Sequence, residues 1–512
     1  MRTTYFLKDE LWYCGAPAFG NVYPVSADDE FSLDLGFNQT FNQLNPVFLS
    51  NMGRYIWVEK EGVVRFKKGA IEIDAPEAGY EIVQAGTTLK EAALAAAAKH
   101  YPPTGTMPDK RTFMGPQYNS WVMFLWNQKQ EDILSYARSI IEKGYKPGLL
   151  IIDDTWQQNY GVWEFNRGNF PDPKAMMDEL REMGFMPALW MCPYVSSSAS
   201  WKSPGIYEHI EAKRVIMNGD IPRMVRWWEG FSAGLDFTEP AAVEWINEQM
   251  KRLERDYGVA GFKLDGGDPP YYGDDYRELG NFQSMTWIDC VEAPIKEARC
   301  CYKLAGKPII QRLNDKCHRW DSEKDGLTLG LSSLLPSIMA QGLVGYYFGC
   351  PDMVGGGGSG DFDGEAKSRL DYELIIRWCQ ASALLPMIQF SFDVWNHEEG
   401  RLAECCKKAM DLRESLLSYI VEMLENAAKT GIPAVRYLEY DHPHQGLAKV
   451  QDEFMLGDKY LVAPVLEKGA TKRTVLFPKG LWRDIADGKT FNGGEYEVDA
   501  PLDKLPVFEK LN

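Results

Sequence analysis

The sequence predicts an α/β protein: a (β/α)8 TIM barrel with an N-terminal β-sandwich domain and a small C-terminal β domain. Three observations predict it. From about residue 105 to 440, apolar strand-like runs alternate with amphipathic helical runs. Residues 1–104 and 441–512 read instead as short, often alternating strands separated by Gly, Asp and Asn. Within 105–440, successive strand runs end in carboxylates, cations or Trp, which a closed parallel barrel would gather on one rim.

In the first domain, strands are expected at 31–35, 55–59, 63–66 and 70–73. TLKEAALAAAAK at 88–99 predicts a helix. Thr88 and Glu91 make a capping box, and the alanines propagate it. Tyr101-Pro102-Pro103 ends the helix and sets a boundary near residue 105.

Barrel strands are then expected at 113–124, 148–153 (GLLIID), 186–191 (MPALWM), 259–264, 307–312, 343–349, 386–391 and 434–440. Helices are expected at 130–143, 173–183, 241–257, 283–304, 326–340, 367–384 and 402–428. The stretch 193–239 is rich in Trp and Ser with little periodicity, so it reads as a loop excursion that shapes a site. An open doubly wound sheet is the alternative, but no glycine-rich nucleotide fingerprint follows the first strand. The glycines of PDMVGGGG at 351–358 come too late and follow an acid. After residue 441, strands are expected at 460–465, 473–477 and 495–498, with turns at 478–480 and 492–494.

The 512 residues exceed what one core normally holds, so two or three domains are expected. A hydrophobic share of 45%, with 16 Trp, 25 Tyr and 24 Phe, marks a globular, aromatic-rich chain. A net charge of −18 argues against nucleic acid and anionic membranes as partners. No apolar window approaches a membrane span, and MRTTYFLKDELWY does not read as a secretion signal. Ten Cys without a CxxC predict neither a disulfide framework nor structural zinc, and reduced thiols fit a cytoplasm. No metal or organic cofactor is implied. The sequence leaves a homo-oligomer open.

The chemistry centres on VAGFKLDGGD at 259–268. It reads as a buried strand running into a tight turn, with Lys263, Asp265 and Asp268 at its end. Lys263 and Asp265 share a strand face, so an ion pair between them is expected. Other strand ends add Asp153, Asp154 and Trp156, then Trp190, then Arg312 and Asp315, then Asp352. Any one of these serves equally well as a structural ion pair. Five on one rim point to a site. Carboxylates with Trp and no metal-ligand spacing suggest sugar chemistry, because paired acids hold vicinal hydroxyls and indoles stack on pyranose faces. A retaining glycosidase needs two carboxylates roughly 5–5.5 Å apart. Asp265, held ionised beside Lys263, suits the nucleophile. His318, His442 and His444 read as structural. Cys192, Cys317 and Cys350 lack a base other than His318.

These residues resemble glycoside hydrolase family 31, the retaining α-glycosidases. The resemblance runs through IIDDTW (151–156), YGVWEFNRGNFPDPKAM (160–176), ALWMCPYV (188–195) and GFKLDGGD (261–268). It continues in PDMVGG (351–356), ELIIRWCQASALLPMIQ (373–389) and LVAPVLEKGATKRTVLFPKGLWRD (461–484). It implies Asp265 as nucleophile and Asp315, five residues before Trp320, as acid/base. Asp321 is second choice, in a segment crowded by Glu323 and Asp325. It implies substrate binding by Asp153, Asp154, Trp156, Trp190, Lys263, Asp268, Arg312 and Asp352. Family α-glucosidases carry Arg-x-His after the late-barrel motif, where this chain has Gln389-Phe-Ser-Phe-Asp393. The Asp153-Asp154-Thr-Trp156 run is similar to an α-galactosidase element, and the chain resembles the family's α-galactosidase-like branch. The resemblance therefore implies an oligosaccharide or glycoside substrate, an α-galactoside first. An α-glucoside, an α-xyloside, or a non-catalytic carbohydrate-binding relative are the alternatives.

Overall fold

The structure, a computed structural model, describes residues 1–197, 206–321 and 329–512. Eight parallel strands form the central sheet: β1 (Gln117–Asn119), β2 (Leu149–Ile152), β3 (Met186–Met191), β4 (Gly261–Leu264), β5 (Lys296–Ala298), β6 (Ile310–Arg312), β7 (Gly349–Cys350) and β8 (Gln389–Phe390). Each pairs with the next up to β7, and β8 returns to β1. A parallel bridge between Met353 and Gln389 joins the two free edges and closes the ring. The helices around it are α1 (Gln130–Glu142), α2 (Pro173–Glu182), α3 (Pro240–Tyr257), α4 (Arg277–Asp289), α5 (Leu334–Leu343), α6 (Tyr372–Ala383) and α7 (Leu402–Thr430). Local chemistry sets their ends. The Asp172 carboxylate accepts from Ala175 N at the start of α2, with Pro173 in the first turn. At the end of α3, Gly258 takes the left-handed conformation at φ 71°.

The eight staves are not the eight that the sequence predicts. In 434–440 only Val435–Arg436 is extended, and it pairs antiparallel with Phe454–Leu456 of the C-terminal sheet. The missing stave is β5, inside the expected 283–304 helix. Lys296-Glu297-Ala298 has helix-forming composition. It is extended because it fills the gap between β4 and β6 and takes ladder partners on both sides. The helix expected at 326–340 begins at Leu334, and residues 322–328 lie outside the described residues.

The excursion after β3 is more than a loop. Tyr194–Ser196, Gly230–Gly234 and Met224–Trp227 make a three-stranded antiparallel sheet. Its hairpin tip carries Trp228 and Glu229.

Two four-stranded antiparallel sheets precede the barrel, one starting at Arg2–Tyr5 and the other at Trp12–Cys14. They pack face to face: Phe66 of the first meets Phe48 and Trp12 of the second, with ring centroids 5.9 and 6.3 Å apart. The Thr88–Glu91 capping box starts the helix Leu89–His100. After the barrel, a six-stranded antiparallel sheet encloses Val475, Phe477, Trp482 and Phe508. The turns expected at 478–480 and 492–494 are a bulge inside its long hairpin, where the register shifts between Phe477 and Leu481. No helix among the described residues is long and apolar enough to cross a membrane.

One buried arginine joins barrel and C-terminal sheet. Arg377 on α6 is 1% exposed and donates to the carbonyls of Ala470 and Ala500 at 2.9 Å and Pro501 at 3.2 Å. Gln380, one turn on, donates to Leu502 O at 2.7 Å. Arg377→Leu strands those carbonyls without donors. It is expected to cost about 2–4 kcal/mol of stability and to expose the C-terminal sheet to proteolysis first, as read by denaturant unfolding and limited trypsin digestion.

Candidate active site

The C-terminal ends of the barrel strands surround a pocket of about 350 Å³, at the lower end of ligand-sized clefts. Its floor is charged: Asp153 and Asp154 follow β2, Lys263 and Asp265 come from β4, and Arg299 follows β5. Its mouth is aromatic, with Trp121 and Trp126 on one side and Trp228, Tyr271 and Phe41 on the other. Asn314, Asp315 and Ser359 complete the wall.

Asp265 is the most heavily engaged group. Its Oδ1 accepts from Arg299 Nε at 2.9 Å and from Gly266 N at 3.0 Å. Its Oδ2 accepts from the Trp190 indole at 3.1 Å, with Arg312 Nη2 at 3.7 Å and Lys263 Nζ at 3.9 Å. Burial alone would raise its pKa. The charges of Arg299, Lys263 and Arg312 overcome that and hold the carboxyl far below the usual carboxylate range.

The ion pair expected between Lys263 and Asp265 is not the close one. Lys263 Nζ donates to Asp153 Oδ2 at 2.7 Å, across the barrel from β4 to the end of β2. Burial works against its charge, but Asp153 holds the ammonium above the ordinary lysine value. The next carboxyl is different. Asp154 accepts from Thr155 N at 2.7 Å, Gln157 Nε2 at 3.0 Å and the Tyr160 hydroxyl at 3.1–3.2 Å, and among the described residues no cation pairs with it. Burial pushes it up to about 7, and Asp153 adds to the rise. Thr155, at φ 73°, turns the chain so that the two acids face the same pocket.

Six of the ten predicted site residues line the pocket: Asp153, Asp154, Trp190, Lys263, Asp265 and Asp315. Trp156, Asp268, Arg312 and Asp352 stand outside that lining. All four are at most 1% exposed and work one layer behind. Trp156 donates to Trp190 O at 2.8 Å and fixes that strand end. Asp268 grips the Arg299 guanidinium at 2.7 and 3.2 Å. Asp352, in the left-handed region at φ 75°, accepts from Arg312 Nη1 at 2.9 Å and Lys316 N at 2.8 Å. Arg312 Nη1 also donates to Asp315 Oδ1 at 2.5 Å. Burial raises Asp268 to about 6 and Asp352 to about 7 despite those arginines.

Asp321 is exposed and borders the undescribed residues, among which Glu323 and Asp325 fall. His318 is structural: Nδ1 bonds Gly355 O at 2.7 Å, and Nε2 accepts from Asp371 N at 2.9 Å.

The sequence reading missed Arg299, whose strand it took for a helix. It also missed the aromatic mouth, since nothing separates a pocket tryptophan from a core one among 16.

Residues 111–292 match the glycosyl hydrolases family 31 TIM-barrel domain, and residues 431–512 the family 31 C-terminal domain. The chain belongs to glycoside hydrolase family 31. A family relative, the myogenesis-regulating glycosidase of Mus musculus, is 32% identical over 462 residues, covering 86% of this chain and 62% of that protein. Alpha-glucosidase 2 of Bacillus thermoamyloliquefaciens is 25% identical, covering 75% of this chain and 51% of its own. The chain thus spans about half to three fifths of these relatives. Among solved structures, the Flavobacterium johnsoniae GH31 dextranase complexed with glucose superposes with a TM-score of 0.85 at 20% identity. That match covers 99% of this chain and 66% of the dextranase. This last likeness concerns the fold.

The Asp154 environment has a consequence for stability. Its native pKa lies near 7 against 3.8 for the free group, so the folded state holds the proton longer than the unfolded chain. Stability is therefore lost as pH rises from about 4 through 7. Asp154→Asn removes that loss. Relative to the wild type, the variant is expected to gain about 3–4 kcal/mol on going from pH 4 to pH 8, read from denaturant unfolding at each pH.

Proposed function

We propose that this family 31 chain is a retaining α-glycosidase that releases a terminal α-linked hexose, with α-galactosides preferred. One observation carries the reading. Asp265 is a buried carboxylate held as an anion by three cations, with its side chain facing a sugar-sized pocket. An anionic oxygen ready to attack is what the first half of double displacement requires. Asp265 adds to the anomeric carbon while the glycosidic C–O bond breaks and a proton reaches the leaving oxygen. Water, giving a proton back to the same acid, then cleaves the glycosyl ester and restores Asp265.

The proton donor comes from the segment after β6. Asp315 faces the pocket, half exposed. Its contact with Arg312, which also reaches Asp265, keeps the two carboxylates no more than roughly 9 Å apart across one planar guanidinium. That upper bound admits the roughly 5–5.5 Å of a retaining pair. One observation favours Asp321 instead: a guanidinium at 2.5 Å from Asp315 Oδ1 suits an acceptor of sugar hydroxyls better than a resting proton carrier.

In this reading Asp153 and Asp154, both lining the pocket, hold adjacent hydroxyls. The likeness of their motif to the α-galactosidase element supports galactose. Relatives named alpha-glucosidase 2 and alpha-xylosidase XylQ support the gluco and xylo alternatives. A carbohydrate-binding protein without chemistry would have no use for a nucleophile held as an anion.

A panel of nitrophenyl α-glycosides is expected to show turnover, fastest on the galactoside. Asp265→Ala should lower kcat at least 10⁴-fold, roughly what removing a covalent nucleophile costs, while sugar binding by calorimetry persists. Activity within tenfold of the wild type would remove Asp265 from this role. For the acid, Asp315→Ala is expected to lose about 10²–10³-fold on alkyl glycosides and little on dinitrophenyl ones, which need little protonation. If Asp321→Ala shows that pattern instead, the donor is Asp321 and Asp315 holds substrate.

A further inference from the structure

The N-terminal segment 38–45 enters the barrel. Asn38, Thr40, Asn42, Gln43 and Asn45 are all buried polar residues, on a stretch with no catalytic motif. Gln43-Leu44 pairs in parallel with Cys301-Tyr302, just past β5.

The ladder between β5 and β6 runs only through Glu297↔Ile310 and Ala298↔Gln311. One step further stand Arg299 and Arg312, where the strands part. Gln43 fills that opening. Its Nε2 donates to Arg299 O at 2.5 Å and to Arg312 O at 2.7 Å. Its Oε1 accepts from Gln341 Nε2 on α5 at 2.9 Å, which fixes the amide's orientation. Gln43 and Gln341 are 0% exposed. The same segment also holds the other end of Arg299, whose Nη1 donates to Phe41 O at 2.8 Å.

We infer that Gln43 is a positioning residue of the active site. Its carboxamide clasps the parted ends of β5 and β6 and so fixes how Arg299 and Arg312 address Asp265. The inference rests on the reading of Asp265 as nucleophile. A peptide segment from outside the barrel, rather than a barrel ladder, then sets the field at the reacting carboxylate.

Three charged groups face Asp265: Lys263 on β4, Arg299 after β5 and Arg312 on β6. Behind them stand Asp153, Asp268, Asp315, Asp352 and Glu297. Releasing the two arginines leaves Asp265 with Lys263 alone, so its ionisation moves towards neutral pH.

The test is Gln43→Met in the full chain, which keeps volume and removes both donors. On the best glycoside of the panel, kcat is expected to fall at least tenfold with KM changed less than threefold. The acidic limb of kcat/KM should move up by at least half a pH unit. A scaffolding role would lower thermal stability and leave that limb in place. A folded variant whose kcat and pH profile overlay the wild type overturns the inference. Should Gln43→Met not fold, Gln341→Met frees the same amide to turn. The same upward shift is then expected with a smaller rate loss, and a wild-type profile overturns it equally. Trapping wild-type enzyme with a 2-deoxy-2-fluoroglycosyl fluoride separates the two readings. A label on another residue defeats the Asp265 assignment, whereas a label on Asp265 beside an unshifted Gln43→Met profile defeats only the clasp.

Discussion

The site depends on one electrostatic constraint: a buried aspartate stays charged because three cations surround it. None of those cations is free. Lys263 is held by Asp153, Arg299 by Asp268, and Arg312 by Asp315 and Asp352. Glu297, fully buried on β5, adds a further carboxylate 3.5 Å from Arg312 Nε. Six carboxylates therefore share three cations, and all but the half-exposed Asp315 are buried. Burial raises Asp268, Asp352 and Glu297, whereas the three cations hold Asp265 low. The arrangement costs desolvation energy that a hydrophobic barrel end would not, and such networks are retained where function needs them.

Much of this was legible in the sequence, and the reason is geometric. Apolar runs that stop at an acid mark barrel strand ends, and GLLIID followed by Asp154, and GFKLD followed by Gly266, announce themselves that way. The partner choice was not legible. Lys263 and Asp265 share a face on one strand, yet side chains two apart on a strand lie about 6–7 Å apart, while the end of β2, two staves away, comes closer. Lys263 therefore reaches across to Asp153. The other blind spot was β5. Lys296, Glu297 and Arg299 look like the solvent face of a helix in isolation. Only the closed barrel, which buries Glu297 and Arg299 among opposite charges while Lys296 donates to the carbonyls of Ile288 and Val291, makes a strand of this stretch, and with it places the arginine nearest the nucleophile. The expected count of eight strands came out right because a C-terminal strand was taken for the stave that was missed.

The four predicted contacts that sit behind the pocket follow the same logic. A motif identifies residues that a site needs and does not say which layer they occupy. Trp156, Asp268, Arg312 and Asp352 act on the groups that line the pocket, by fixing a strand end or aiming a guanidinium. Such second contacts decide precision: a carboxylate displaced by 1 Å from its productive position loses orders of magnitude in rate.

The contrast between floor and mouth bears on how a substrate would enter. The floor is charged and closed by the β2 and β4 ends, with Gly266 and Gly267 turning the chain beneath it at φ 66° and 74°. A side chain at Gly267 would meet the Trp287 ring at 2.8 Å, so the turn is tight as well as left-handed. The mouth is walled by rings from four separate parts of the chain: Phe41 from the N-terminal segment, Trp126 after β1, Trp228 on the excursion after β3, and Tyr271 after β4. The Trp126 indole donates to Glu229 at 2.9 Å and ties two of these walls together. If the proposed function holds, a sugar reaching Asp265 through such an opening would meet the charged floor with its hydroxyls and leave its aglycone among the rings. A long glycan lying across the barrel would have to displace the Trp126–Glu229 tie. On the proposed reading, such an opening suits removal of single terminal sugars better than cleavage within a chain.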